Sequence, residues 1–333
     1  MQLPHIWIMR QAGRYLPEYR ALRSQTPNFM NFCYDSEKAC QATLQPITRF
    51  NMDAAIIFAD ILLVLDILGL KVEFIENQGP VIEKIDEQKL EILSVKQQSW
   101  QIDAVANTVA LTKAKLDANK SLIGFAGSPW TVATYAIEGK SKADFIRSKL
   151  LALKNDTLLN KLIDIIVQQT IIYLEKQILA GATIIKLFDS WAGILQGQEY
   201  YRYIIEPTKI IIDYFKYKYP SIPIIAFPKG SGFLYDDYIK HLNFDILAVD
   251  ANVPIAKMQD WQERNIIVQG NLDPQILLLE DQNIIKHKVD LIFEQLDKTK
   301  LIFNLGHGVL PNTPIENVKF LVHYVKEKFL YIK

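Results

Sequence analysis

The sequence predicts an α/β protein folded as a single (β/α)8 TIM barrel domain across residues 1–333. Eight short apolar runs alternate with amphipathic helical stretches, and continuous apolar runs suit strands buried on both faces of a parallel sheet. No composition break divides the chain. Nearly every run also ends C-terminally in a polar group or a glycine. A closed barrel gathers such ends at one mouth, whereas a doubly wound open sheet, the alternative, scatters them along an edge.

The elements follow in order. The first run, Ile6–Met9, opens into Arg10-Gln11. Pro17 starts a helix to Arg23, because proline is pre-set for a first turn. Asp35 is an N-cap for another helix before Pro46. The second run, Ala54–Phe58, leads to Asp60, and Lys71–Ile85 reads as an inserted hairpin turning at Asn77-Gln-Gly-Pro. A helical stretch, Ser94–Leu116, precedes the run Ser121–Ala126, which ends in Gly127-Ser128. The helix Leu158–Leu179, stopped by Gly181, precedes Thr183–Phe188, which ends in Asp189-Ser190. Gln198–Tyr217 then precedes Ile222–Phe227, ending in Lys229-Gly230. Ile246–Val249 ends at Asp250, and Ile266–Val268 at Gly270-Asn271. A helix over Pro274–Leu296 leads to the last run, Leu301–Phe303, which ends in Asn304 to His307, and Pro314–Phe329 closes the chain.

Half of the residues are hydrophobic, enough for a large core, and 37 basic residues balance 37 acidic ones. That neutrality argues against a nucleic acid or an anionic membrane as partner. Cys33 and Cys40 form neither a redox pair nor a zinc ribbon. The start Met1-Gln2-Leu3-Pro4-His5 lacks the pattern of a secretory leader, and the longest apolar stretches are broken by Asp60 and Asp66 or too short to span a bilayer. A reducing, cytoplasmic setting is expected.

Positive charge is concentrated locally. Four of the eight arginines, Arg10, Arg14, Arg20 and Arg23, fall within fourteen residues, in a chain that otherwise prefers lysine. Arginine is favoured where a planar, permanently charged fork must hold a carboxylate or phosphate. A strand opening into clustered guanidinium groups beside flexible Gly13 reads as a polyanion site; solvated charges on a loop are the bland alternative.

Other candidates stand at run ends. Asp60 follows an almost wholly apolar stretch, so its carboxylate must be paired, hydrogen-bonded or protonated; it either serves chemistry or caps the helix Ile61–Leu68. Tyr135 lies about two turns into a helix opened by Pro129, as a cleft hydroxyl or a core aromatic. His307 sits between Gly306 and Gly308, either a placed imidazole approached closely by backbone or a loop histidine bonded to its own backbone. Ser190 reads as a hydrogen-bond donor rather than a nucleophile, with no histidine near it in sequence. Lys229-Gly-Ser-Gly232 is too short to signal a phosphate loop, and HExxH, CxxC, GxGxxG and Walker patterns are missing.

Two segments carry a family resemblance. Trp7-Ile-Met-Arg-Gln-Ala-Gly-Arg-Tyr-Leu-Pro-Glu-Tyr-Arg20 resembles the first signature of the uroporphyrinogen decarboxylases, and Gly124-Phe-Ala-Gly-Ser-Pro-Trp-Thr through Tyr135 resembles the second. The segments ending at Asp60, Ser190 and His307 are similar in the same order. The resemblance implies a (β/α)8 barrel, a homodimer with facing clefts and no metal or organic cofactor. It implies conversion of the four acetate arms of uroporphyrinogen to methyls, giving coproporphyrinogen and CO2. By position, Arg10, Gln11 and Arg14 match the arginine loop, Asp60 the cleft aspartate and Tyr135 the cleft tyrosine. Ser190 and His307 match two further substrate contacts. The proton donor stays open among Arg10, Tyr135 and a water held by His307. Arg20 and Arg23 are expected to pair with local carboxylates or a partner subunit. One departure is a shorter segment before the first run than the family carries, which implies a missing part of the usual leader and a less supported barrel floor.

Two other functions compete. A zinc-dependent methyltransferase of the same superfamily needs cysteine and histidine ligands that Cys33 and Cys40 do not supply. A tetrapyrrole carrier without turnover would use the arginines but leave Asp60, Tyr135 and His307 unexplained.

Overall fold

The computed structural model describes residues 3–76, 78–140 and 144–330. Seven parallel strands curl into the barrel wall: β1 (Ala54–Ile56), β4 (Ser121–Gly127), β5 (Ile184–Asp189), β6 (Ile224–Pro228), β7 (Ile246–Ala248), β8 (Ile267–Leu272) and β9 (Leu301–Leu305). They pair in that order, with helices on the outside. The intervening strands β2 (Val72–Ile75) and β3 (Gly79–Ile82) form the expected antiparallel hairpin, although Asn77 of its turn lies outside the described residues. The hairpin docks on the end of the helix Pro129–Glu138: Ile82 N donates to Gly139 O at 2.8 Å and Ile85 N to Ala136 O at 3.0 Å.

The first run corrects the count of eight strands. Ile6–Met9 is buried as expected, but only Ile6 forms a β-bridge, parallel to Phe303. Main-chain bonds from Asp53 N to Ile6 O at 3.0 Å and from Phe303 N to His5 O at 2.8 Å tie the run between β9 and β1, and side chains complete the ladder. Asp53 Oδ2 accepts from Ile6 N at 3.0 Å, and Asn304 Oδ1 from Met9 N at 3.0 Å. The Gln11 carboxamide accepts from Ile8 N at 3.2 Å and donates to Ala54 O at 3.0 Å. Polar backbone groups buried in such a seam must find partners, and these amides supply them.

Three helices also differ from expectation. The helix capped by Asp35 runs through Pro46 to Phe50 and ends at Asn51, which has φ 55°. Pro274–Leu278 is a 3-10 turn, and a separate helix, Gln282–Gln295, restarts where Asp281 caps it. The stretch Gly197–Lys218 contains a π-turn over Tyr201–Ile205, just before Pro207, whose missing N–H cannot continue the α ladder. Within the described residues no helix is long and apolar enough to cross a membrane.

Candidate active site

The barrel mouth is built from the C-terminal ends of the strands. Arg10 is its first element. A turn closed by Gln11 N donating to Ile8 O at 3.1 Å holds Arg10 at φ 59°, and Val309 N ties the same turn to Met9 O at 2.9 Å. Glycine is required at 308 for the side chain to lie where it does: a Cβ there would stand 2.3 Å from Arg10 Cδ. Gly306 permits a second close approach, since a Cβ there would meet Ala251 N at 2.2 Å. Both glycines flanking His307 therefore accommodate neighbours.

The arginine cluster divides. Arg10 and Arg14 are exposed, and among the described residues neither makes an ion pair. Arg20 instead donates to Arg14 O at 2.7 Å and Tyr15 O at 3.2 Å, clamping the loop that presents Arg14. Arg23 donates to Thr26 O at 3.0 Å. The expectation that these two pair with carboxylates is corrected: they bond carbonyl oxygens. The nearby Glu18 carboxylate is taken by Arg49 through two hydrogen bonds, at 2.6 and 2.9 Å. Gln11 lies behind the mouth. Its side chain is buried in the seam, accepting from Ile8 N and donating to Ala54 O, and so supports the Arg10 turn.

Asp60 follows β1 in a partly buried recess. Its Oδ1 accepts from Leu62 N at 2.9 Å, so the capping role is real. The described residues give its second oxygen no hydrogen bond. Burial pushes the carboxyl up to about 6, opposed by the Leu62 N–H and the positive field of Arg10. The buried Tyr173, whose hydroxyl lacks a hydrogen-bond partner among the described residues, lies in the field of this carboxylate.

Tyr135 is partly buried on the helix Pro129–Glu138, with its ring 6.3 Å from that of Trp191. Ser190 is partly buried at the end of β5. The adjoining Asp189 is buried, accepts from Thr131 Oγ1 at 2.5 Å, and has its carboxyl pushed up to about 7 by burial. His307 is driven down to about 3, first by burial and then by the positive charges of Arg10 and Lys229, which Asp250 offsets in part. It is neutral at physiological pH. No bond to its own backbone appears among the described residues.

Sequence reasoning missed several mouth residues. Lys229 and Asp250 read in the sequence only as run ends, and Trp191 carries no signal there. Lys186 was hidden within an apolar run, yet it points into the barrel with Nζ 4.8 Å from the Trp7 ring centre. Cys33 and Cys40 are buried on helices Phe29–Tyr34 and Ser36–Phe50. The described residues contain no group of three or more His, Cys, Asp or Glu arranged to hold a metal ion.

Comparison with known proteins gives this geometry a family. The fold resembles a methyltransferase from Methanosarcina mazei, with TM-score 0.74 and 19% identity over 93% of this chain and 90% of that one. It also resembles a B12-independent methionine synthase from Shewanella sp. W3-18-1, with TM-score 0.62 and 11% identity over 89% of each chain. These likenesses concern the fold. In sequence, the chain is 48% identical over 322 residues to uroporphyrinogen decarboxylase from Rickettsia rickettsii, covering 96% of this chain and 92% of that protein. It is 49% identical over 321 residues to the enzyme of the same name from Rickettsia felis, covering 96% and 92%. The model of the uroporphyrinogen decarboxylase (URO-D) family matches residues 1–328, and the chain belongs to that family.

Proposed function

We propose that this mouth decarboxylates uroporphyrinogen, converting its four acetate arms to methyls and releasing coproporphyrinogen and four CO2. Family membership supports the reaction. The observation that carries the site is Asp60: a carboxylate in a recess at the end of apolar β1, one oxygen capped by Leu62 N, the other without a hydrogen bond among the described residues. The substrate presents four pyrrole N–H donors at its centre and carboxylates at its rim. Asp60 accepts the N–H groups; Arg10 and Arg14 hold rim carboxylates.

The step balances without an external electron carrier. A proton adds to a pyrrole ring carbon, and the ring becomes cationic. The bond between the acetate methylene and its carboxylate breaks, CO2 leaves, and the electron pair neutralises the ring. A second proton completes the methyl while the ring carbon returns the first, so each arm consumes one proton. The ionised Asp60 stabilises the cation by about 4 kcal/mol at 4 Å and an effective dielectric near 20. Enzymes supply roughly 8–23 kcal/mol in total, so positioning by the rim cations carries part of the load. His307, held neutral, orients substrate or water rather than acting as an imidazolium acid. Tyr135 and Ser190 contact the substrate as hydroxyl donors.

The same reading assigns a homodimer and the cytoplasm. The family resemblance supports the first, to be checked by light scattering, and the unpaired Cys33 and Cys40 support the second.

An anaerobic assay with uroporphyrinogen III in EDTA, read by chromatography of carboxyl number, tests the function. The octacarboxylate should pass to the tetracarboxylate, and Asp60→Asn should keep the fold and lose most turnover. Retained octacarboxylate bound to the wild-type protein would favour the carrier; near wild-type turnover in Asp60→Asn would remove Asp60 from its role.

A further inference from the structure

Lys229, just after β6, is tied by its backbone to the neighbouring strand ends. Its N–H donates to Asp189 O at 3.0 Å and its carbonyl accepts from Gly193 N at 3.1 Å. The next residue, Gly230, donates to Asp250 Oδ2 at 2.8 Å. The ends of β5, β6 and β7 thus share one network. Only glycine fits at 193, where a Cβ would stand 2.1 Å from Gly230 O. This close approach brings the Trp191 loop beside Lys229, whose Nζ lies 5.9 Å from the Trp191 ring centre.

The ammonium so placed is partly buried and makes no hydrogen bond or ion pair among the described residues. The carboxylate acting on it, Asp250, makes no direct ion pair with it and is held by neutral donors. Asp250 accepts from Gly230 N, from Tyr235 Oη at 2.9 Å and from Asn252 N at 3.0 Å. Lys229 and Arg10 repel one another across the mouth, and both act on His307. Both cations border His307, and among the described residues neither has a direct ion-pair partner.

We propose that Lys229 and Arg10 together hold one propionate carboxylate of the substrate, an arm that the reaction leaves in place. This rests on the decarboxylase reading and deepens it. A carboxylate gripped by two cations has its charge stabilised in the ground state, which opposes departure as neutral CO2. The pair therefore suits an arm that stays. Each pyrrole of uroporphyrinogen carries one acetate and one propionate, so the same grip serves successive orientations of the macrocycle.

The test separates anchoring from chemistry. Lys229→Gln should raise KM for uroporphyrinogen and Ki for coproporphyrinogen, which retains the propionates, by one common factor. The loss of one charge-assisted contact implies roughly ten- to a hundredfold. The kcat should hold within about threefold, and Lys229→Arg should restore most of the affinity. Unchanged KM and Ki would overturn the proposal, as would a fall in kcat with Ki unmoved. Equilibrium dialysis of coproporphyrinogen under reducing conditions keeps the two readings apart. Wild-type protein that binds it through Lys229 but never decarboxylates uroporphyrinogen would retire the decarboxylase reading and leave the anchor standing.

Discussion

The stem of Arg10 lies against Gly308, the residue after His307, so closely that an added methyl would stand 2.3 Å from Cδ and 2.6 Å from Cγ. The start of the barrel sequence and the loop after its last strand thus shape one another at the mouth. Gly308 is not in the left-handed region, so alanine fits its backbone. The obstacle is a flexible side chain rather than main chain. Gly308→Ala should therefore shift the melting temperature little and swing the guanidinium aside. An error of about 1 Å in a positioning group costs on the order of a hundredfold. We expect kcat/KM to fall by roughly ten- to a hundredfold with the circular dichroism spectrum unchanged. Wild-type kinetics in this variant would show that Arg10 does not need this seat.

Asp60 sets a pH dependence of opposite sign in stability and in activity. Its carboxyl is raised from 3.8 to about 6 in the folded state. Between those values the folded protein holds a proton that the unfolded chain has lost. The stability this group contributes is complete below about 4 and is lost as pH rises through 6. The shift of about two units makes the ionised form cost about 3 kcal/mol at neutral pH. Activity needs that same ionised form, so kcat/KM should rise with pH through about 6. Asp60→Asn should be more resistant to urea than wild type at pH 7 and nearly equal to it at pH 4, while losing turnover. His307→Gln should keep the acidic limb near 6, because His307 is already neutral above about 3. A limb that vanished in His307→Gln would assign the titration to the imidazole.

Much of this arrangement is legible in sequence because burial on both faces of a strand demands an unbroken apolar run, and the polar residue ending each run marks the mouth. Arg10, Asp60, Ser190 and His307 all lie at such ends. The failures have physical causes. Ile6–Met9 reads as a strand, but much of the ladder it would need is supplied by the side chains of Asp53, Gln11 and Asn304, and local pattern carries no sign of those long-range bonds. Arg20 and Arg23 look like carboxylate forks, yet their reach along the chain favours carbonyl oxygens. Lys229 stands at a run end like the others, but what distinguishes it appears only when β5, β6 and β7 are brought side by side.

Lys186 is the residue whose chemistry most contradicts its surroundings. It is fully buried in β5 and faces the barrel interior, with Nζ 4.6 Å from the Phe188 ring centre, 4.8 Å from Trp7 and 5.0 Å from Phe227. No hydrogen bond satisfies it among the described residues. Two effects oppose one another. Three ring faces favour the cation by about 0.5–2 kcal/mol each. Removing an unpaired ammonium from water costs several kcal/mol even after relaxation, and this penalty wins, holding the amine well below its usual value of 10.5. Between the lowered value and 10.5 the unfolded chain binds a proton that the folded protein refuses. Stability from this group therefore rises with pH, and the penalty disappears only above about 10.5. Lys186→Met fills the same volume without an amine to desolvate. It should stabilise the protein by about 1–4 kcal/mol at pH 7, and the gain should shrink as pH approaches 10. Urea midpoints of both proteins at pH 7 and 9.5 read this directly. A variant less stable than wild type at pH 7 would mean that the three rings hold Lys186 as a cation, and that the barrel carries a buried positive charge beneath its mouth.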